Sequence, residues 1–216
     1  MLTLNFGDAN AVTSVLCLGA HGDDIEIGAG GTLIELVKRY PKATFHWVVF
    51  SGDEERARET KESARRFLDG AGASTLVIKS FETTFFPYEG HAIKRCFEEL
   101  KGEVSPDIIF THYRHDRNQD HRTISELTWN TFRDHLVLEY EIPKYDGESG
   151  SPNFFVPLPD EVREEKVRII LECYESQRAR HWFTEETFNG MMRLRGIESN
   201  APSGYAEAFY ARKLVV

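Results

Sequence analysis

Short apolar runs rich in Val, Ile and Phe recur along this chain, and the stretches between them repeat their apolar residues at helical spacing. Such alternation predicts strand–helix–strand units around a mostly parallel sheet, because a buried parallel strand reads as a continuous apolar run and its crossover reads as an amphipathic helix. The expected strands are Ser14 to Gly19, Thr44 to Phe50, Thr75 to Lys79, Asp107 to Thr111 and Leu138 to Ile142. The expected helices are Ala29 to Arg39, Glu54 to Leu68, His91 to Gly102, Arg122 to Leu136, Asp160 to Ser176 and Glu185 to Leu194, and Pro159 stands where the fifth of these would begin. The fold class expected is α/β: a doubly wound, Rossmann-like three-layer sandwich with a mostly parallel sheet. At 216 residues one such domain accounts for residues 1–216, and the breakers Gly147, Gly150 and Pro152 mark a surface loop from Tyr145 to Asn153 rather than a linker.

Charge narrows the partners. A net charge of −9 opposes any affinity built on neutralising polymer phosphates, so neither nucleic acid nor an anionic membrane is expected as a partner. The basic cluster Arg56, Arg58, Lys61, Arg65 and Arg66 is interleaved with Glu54, Glu55, Glu59 and Glu62, as on a solvated helix face. The stretch MLTLNFGDANAV has no basic flank leading into an apolar signal core, and no run of about twenty apolar residues occurs anywhere, so a cytoplasmic protein without an integral membrane segment is expected. Cys17, Cys96 and Cys173 are widely spaced and sit near apolar neighbours, as reduced core thiols do. Any metal here would then be held by His and carboxylate. A homo-oligomer is compatible with everything above.

Chemistry concentrates where strands end, since open parallel sheets bind ligands outside the carboxyl ends of their strands. After the first strand comes Ala20-His21-Gly22-Asp23-Asp24, and after the fourth comes the run from His112 to His121. A catalytic zinc-like site takes about three protein ligands and an open position, and His21, Asp24 and His121 can supply such a set. Asp23 would then be free to accept a proton from water. The spacing alone leaves a second reading open, in which the carboxylates cap a helix near Gly28 and the histidines are hydrogen-bonded loop residues.

The first loop resembles the Ala-His-Pro-Asp-Asp motif of the LmbE/PIG-L family of metal-dependent deacetylases, with Gly22 in place of proline. Glu26-Ile27-Gly28 and Gly30-Gly31-Thr32 continue the likeness, Asn118-Gln119-Asp120-His121 resembles the family's His-Pro-Asp-His, and Tyr205 to Phe209 resembles a further stretch near the carboxyl terminus. The resemblance implies Zn2+, or another divalent metal such as Fe2+, on His21, Asp24 and His121, with Asp23 as general base and Asp120 orienting a histidine. Asn118 stands where the family commonly has a histidine that stabilises the oxyanion; an amide can donate a hydrogen bond but cannot titrate. Glycine at 22 permits the backbone path that proline would stiffen.

The implied substrate is a small N-acetylated amino sugar or conjugate of the N-acetylglucosamine type, free, lipid-linked or nucleotide-linked. Arg56, Arg58 and His115 are candidate substrate-binding residues, and Phe81, Phe85, Phe86 and Tyr88 form either a stacking wall or core. The stretch from Tyr140 to Phe155 either closes over the site or packs on a neighbour. The same ligands would also serve a metal-dependent hydratase or a hydrolase of another acyl group, and Asn118 admits a catalytically weak carbohydrate-binding relative. Gly28-Ala29-Gly30-Gly31 lacks the G-x-G-x-x-G spacing of a dinucleotide site.

Overall fold

The computed structural model describes residue 3 and residues 5–143, 145, 147 and 150–215. The expected surface loop from Tyr145 to Asn153 therefore lies outside the described residues at positions 146, 148 and 149, as do positions 1, 2 and 4 of the amino-terminal stretch. The elements run β1 (Ser14–Gly19), α1 (Asp24–Arg39), β2 (Thr44–Val49), α2 (Glu54–Phe67), β3 (Ala73–Ile78), α3 (Gly90–Glu103), β4 (Ile108–His112), α4 (Gln119–Thr131) and β5 (Leu136–Tyr140). They continue with β6 (Phe154–Pro157), α5 (Asp160–Cys173), α6 (Glu185–Ser199) and β7 (Ala206–Ala211). One seven-stranded sheet results, in the order β3-β2-β1-β4-β5-β7-β6. Its first five strands pair in parallel, while β7 runs antiparallel to both β5 and β6.

Strand β1 shows why two helical layers form. Val15 and Cys17 face one apolar cluster, filled from α1, α2, α5 and α6, while Leu16 and Leu18 face a second, filled from α3 and α4. Alternate side chains of a strand point to opposite faces, so a run apolar at every position must be covered on both. The chain leaves β1 toward β2 and β3 on one side, and β4 and β5 lie on the other. The carboxyl ends of β1 and β4 therefore flank the switch point where the strand order reverses, and both motif loops emerge there.

Helix α1 starts at Asp24, well before the expected Ala29. The mid-helix glycines that lower its propensity are required by packing: a Cβ at Gly28 would enter the Tyr140 ring, at Gly30 it would come 2.6 Å from Phe67, and at Gly31 2.6 Å from Leu158. Helix α4 spans Gln119–Thr131 instead of Arg122 to Leu136, because Asn118 caps its start and Phe132 closes it, leaving Leu136 to open β5. The helix expected to reach Ser176 ends at Cys173 and passes into a 3-10 turn, Glu175–Gln177. Strands β6 and β7 were not expected. Ala206–Ala211 holds no β-branched residue, and β6 ends in Pro157, which is tolerated at the edge position it occupies.

A buried ion pair ties this added edge to the first helix. Glu207 on β7 accepts from the amides of Gly31 (2.8 Å) and Thr32 (2.7 Å), and Lys166 on α5 donates to Glu207 Oε1 (2.6 Å) and to the Ile27 carbonyl (2.7 Å). Both side chains are 2% exposed, so each charge depends on the other to remain inside.

Candidate active site

The turn from β1 into α1 and the loop from β4 into α4 bring His21, Asp24 and His121 together. His21 Nδ1 lies 3.1 Å from His121 Nε2 and 3.2 Å from Asp24 Oδ2, and Asp24 Oδ1 lies 3.4 Å from His121 Nε2. A tetrahedral ion with bonds of about 2.0–2.1 Å sets its donors roughly 3.3–3.4 Å apart, and these separations, the two to Asp24 taken from its two different oxygens, are of that order. Each imidazole also has its other nitrogen occupied. His21 Nε2 is 3.1 Å from Asp120 Oδ2, and His121 Nδ1 is 2.8 Å from Asp116 Oδ2. Carboxylates behind ligating histidines fix ring orientation and raise basicity, and this is the arrangement a metal-binding group requires. The donor set therefore fits a divalent metal. A second group, His112, Asp116 and His121, shares one histidine with the first and lies fully buried behind it.

The electrostatics favour a cation at the same point. Burial pushes the Asp24 carboxyl up, but the imidazoles of His121, His112 and His21 outweigh it and hold the group well below the carboxylate range. Burial pushes His21 down, yet Asp24 and Asp120 lift it to about 10. His112 is pushed down to about 4 by burial and by His121. It sits at the end of β4, where its Nε2 accepts the Ala20 amide at 2.9 Å and meets the Tyr140 hydroxyl at 3.2 Å.

The two neighbouring aspartates have separate surroundings. Asp24 takes the His21 amide (2.7 Å) on the Oδ2 that faces the cluster. Asp23 occupies the cap position of α1, but its side chain makes no capping hydrogen bond; Oδ1 instead accepts from Arg56 at 2.8 Å. Burial raises the Asp23 carboxyl, and Arg56 opposes that rise. Arg56 also reaches Glu59 (3.2 Å) and Ser176 (3.3 Å), and its guanidinium lies 4.9 Å from the Tyr174 ring centroid. Beside them, Gly22 leaves no room for a side chain: a Cβ there would run into Thr60 Oγ1, whose hydroxyl donates to the Gly22 carbonyl at 3.2 Å.

Asn118 serves the backbone with one end. Its Oδ1 accepts from the amides of Asp120 (2.8 Å) and His121 (3.4 Å), capping α4 and leaving the amide nitrogen as the end not used in the cap. Asp120 braces a second segment. It accepts from the amides of Thr84 (2.6 Å) and Phe86 (3.3 Å), and so helps hold Thr84 at φ +75°, a left-handed conformation unfavourable for a β-branched residue.

These groups open on a cavity of about 930 Å³ lined by His21, Asp23, Asp24, Arg56, Asn118 and His121, with Phe81, Tyr145 and the segment from Ser176 to Trp182. Arg56, expected to bind substrate, lines the cavity and is engaged with Asp23. Arg58 and His115 are not among its lining residues: Arg58 is exposed and pairs with Glu54 (3.5 Å), and His115 is exposed against Tyr113. Of the aromatic stretch, Phe81 lines the cavity, Phe86 is core, and Phe85 and Tyr88 are exposed. Asp116 and the Tyr174–Trp182 segment were not singled out from sequence. The loop from His112 to His121 held a signal for Asp116, since a ligating histidine needs an acceptor behind it; the segment held none.

The profile of the PIG-L family, described as GlcNAc-PI de-N-acetylase, matches residues 16–132, more than half of the chain, and the chain belongs to that family. The curated relative "Uncharacterized deacetylase YaiS" of Escherichia coli K12 is 25% identical over 179 residues, covering 79% of this chain and 94% of its own. Among solved structures, N,N'-diacetylchitobiose deacetylase from Pyrococcus horikoshii superposes with a TM-score of 0.73 at 20% identity, over 93% of this chain and 84% of that one. GalB, the 4-carboxy-2-hydroxymuconate hydratase of Pseudomonas putida KT2440, gives 0.72 at 16% identity over 94% and 98%. The zinc-inhibited form of teicoplanin deacetylase Orf2 gives 0.70 at 13% identity over 92% and 97%. At these identities the structural likeness establishes the fold, and the family profile establishes a deacetylase-type enzyme. No helix among the described residues is long and apolar enough to cross a membrane.

Proposed function

We propose that residues 1–216 form one metal-dependent amide hydrolase domain that removes an acetyl group from an N-acetylated amino sugar or sugar conjugate. The observation that carries this reading is the convergence of His21, Asp24 and His121, with the far nitrogen of each imidazole held by Asp120 or Asp116. Zn2+ is the metal best suited to mixed imidazole and carboxylate donors in a tetrahedral site, and Fe2+ is the second choice. The cytoplasm suits this chemistry and three cysteines that form no disulfide.

When bound, the metal supplies Lewis acidity toward the acetyl carbonyl and acidifies a water beside it. The chain's residues do the rest. Asp23, held at Oδ1 by Arg56, takes the proton of the attacking water and returns it to the departing nitrogen as the C–N bond breaks. Asn118, fixed by its cap, offers its amide N–H to the carbonyl oxygen as negative charge develops there. Acetate and a free amine leave.

Metal analysis and acetate release from N-acetylglucosamine and N,N'-diacetylchitobiose test the reading. The wild type is expected to hold about one ion and release acetate, and His21→Ala and His121→Ala to lose both. Equal metal in all three proteins would remove the site. Full metal with no acetate from any N-acetyl sugar would turn the reading toward a hydratase, for which the similarity to GalB gives the fold.

A further inference from the structure

The sheet has two edges, and they are finished differently. At one, β6 is four residues long and closes on Pro157, which cannot donate to a further strand. At the other, β3 runs for six residues, Ala73-Ser74-Thr75-Leu76-Val77-Ile78, with neither proline nor charge, and Thr75, Val77 and Ile78 are β-branched. Its pairing with β2 is continuous from Thr44↔Ala73 to Val49↔Ile78, so no bulge turns the edge away. Ala73 to Leu76 are exposed, and no strand among the described residues pairs with the outer side of β3. A row of unpaired N–H and C=O groups on an uncharged strand is a template for another strand.

Beside this edge the sheet is also uncovered. Between α2 and β3 lies a groove of about 360 Å³, floored by Trp47 and Leu76 and rimmed by Arg58, Lys61, Glu62 and Arg65. The Trp47 indole N–H is buried there without an acceptor among the described residues. Glu54 stands one turn before Arg58 and pairs with it at 3.5 Å, and Glu62 pairs with Arg65 at 2.7 Å. Glu54, Arg58, Glu62 and Arg65 are all exposed, and they form a stripe of alternating sign along one side of α2. Such a stripe is its own complement when reversed: against an antiparallel copy, Glu54 meets Arg65 and Arg58 meets Glu62. Lys61 alone in the rim has no counterpart in the stripe. Complementarity under reversal is what a two-fold axis requires. An axis at the β3 edge, perpendicular to the sheet, pairs β3 antiparallel with its copy. It also puts both Leu76 side chains on one face and sets the two α2 stripes opposite each other in reversed direction.

We propose that the β3 edge and the α2 stripe beside it form a homodimer interface, in which β3 pairs with the β3 of a second copy and the two seven-stranded sheets become one. An acidic peptide laid on the same edge would be favoured by a stripe of one sign, whereas the alternation of Glu54, Arg58, Glu62 and Arg65 favours a copy of the chain itself. The interface is independent of what the enzyme cleaves.

Sedimentation velocity of the full chain over a concentration series reads the assembly, with circular dichroism to establish that each variant is folded. The wild type is expected to dimerise, and Leu76→Lys, which places a charge on the exposed edge, to stay monomeric. Glu54→Arg and Arg65→Glu each set like charges opposite one another twice per dimer, and each is expected to raise the dimer Kd roughly tenfold. Mixing these two variants restores opposite charges at both contacts, so the mixture is expected to dimerise as tightly as the wild type. Mixing cannot mend the helical pairs each variant has lost within its own chain, so the rescue reads the interface alone. A monomeric wild type, a dimer that survives Leu76→Lys, or a mixture no tighter than its parts would each overturn the proposal. Binding of a polyglutamate peptide by a monomeric wild type, lost in Arg65→Glu, would overturn it in favour of an acidic peptide on the same edge.

Discussion

Asp23 and Asp24 are chemically identical neighbours with different partners, which is the basis for the two roles proposed for them. Arg56 stands against Asp23, and three imidazoles surround Asp24. Asp23→Asn is therefore expected to keep its metal while turnover falls by about 100-fold or more, the scale of a lost general base; unchanged turnover would refute the role. Asn118 allows cap and chemistry to be separated. Aspartate caps a helix as well as asparagine but has no amide donor, so Asn118→Asp should retain its unfolding midpoint while kcat drops by roughly 100-fold, whereas Asn118→Ala should also lose about 1 kcal/mol of stability. Gly22 was read from sequence as a tolerated departure from proline, and the structure adds a steric reason in Thr60. Gly22→Pro should destabilise by about 1–3 kcal/mol, and a part of that should return when Thr60→Ala is added, as a double-mutant thermal unfolding series would show.

At the level of elements, legibility followed the strength of the local signal. β1 was legible in full because Val15 to Leu18 form an unbroken apolar run covered on both faces. The start of α1 was hidden by glycines whose reason lies in Tyr140, Phe67 and Leu158, residues distant in sequence. The end of α4 was hidden because the apolar spacing of Ile124, Leu127, Phe132 and Leu136 runs on from a helix into the next strand. That junction carries a buried charge. Glu139 on β5 accepts from Trp129 Nε1 (2.6 Å) and the Arg114 amide (2.9 Å), yet burial still pushes its carboxyl above the usual range. The folded protein thus holds this proton more tightly than the unfolded chain does. Its contribution is greatest below the ordinary glutamate pKa of about 4.3 and is lost as pH rises through the raised value. Glu139→Gln is expected to flatten that decline in denaturant titrations run across the range, with Trp129 as a fluorescence reporter.

In the whole molecule, the donor group joins two connections that leave the sheet on opposite sides of its switch point. An ion held by His21, Asp24 and His121 would cross-link the β1–α1 and β4–α4 junctions, and any ligand that binds only the folded state stabilises it by mass action. Metal at about a hundredfold over its Kd should add roughly 2.7 kcal/mol, so chelation should lower the melting temperature of the wild type and leave that of His121→Ala unmoved. The two donor loops were legible because each packs its polar residues into a few consecutive positions after a strand. The cavity wall from Ser176 to Trp182 was not, since Ser176 meets Glu59 only after α5 has folded back across α2. That meeting has a practical side. The chain of contacts from Asp23 through Arg56 and Glu59 to Ser176 makes the proposed base and this wall of the cavity one mechanical unit. Grafting a wall from a relative to change what the enzyme accepts would have to bring along its own counterparts of Glu59 and Ser176. Without them, new specificity would arrive with a misplaced base.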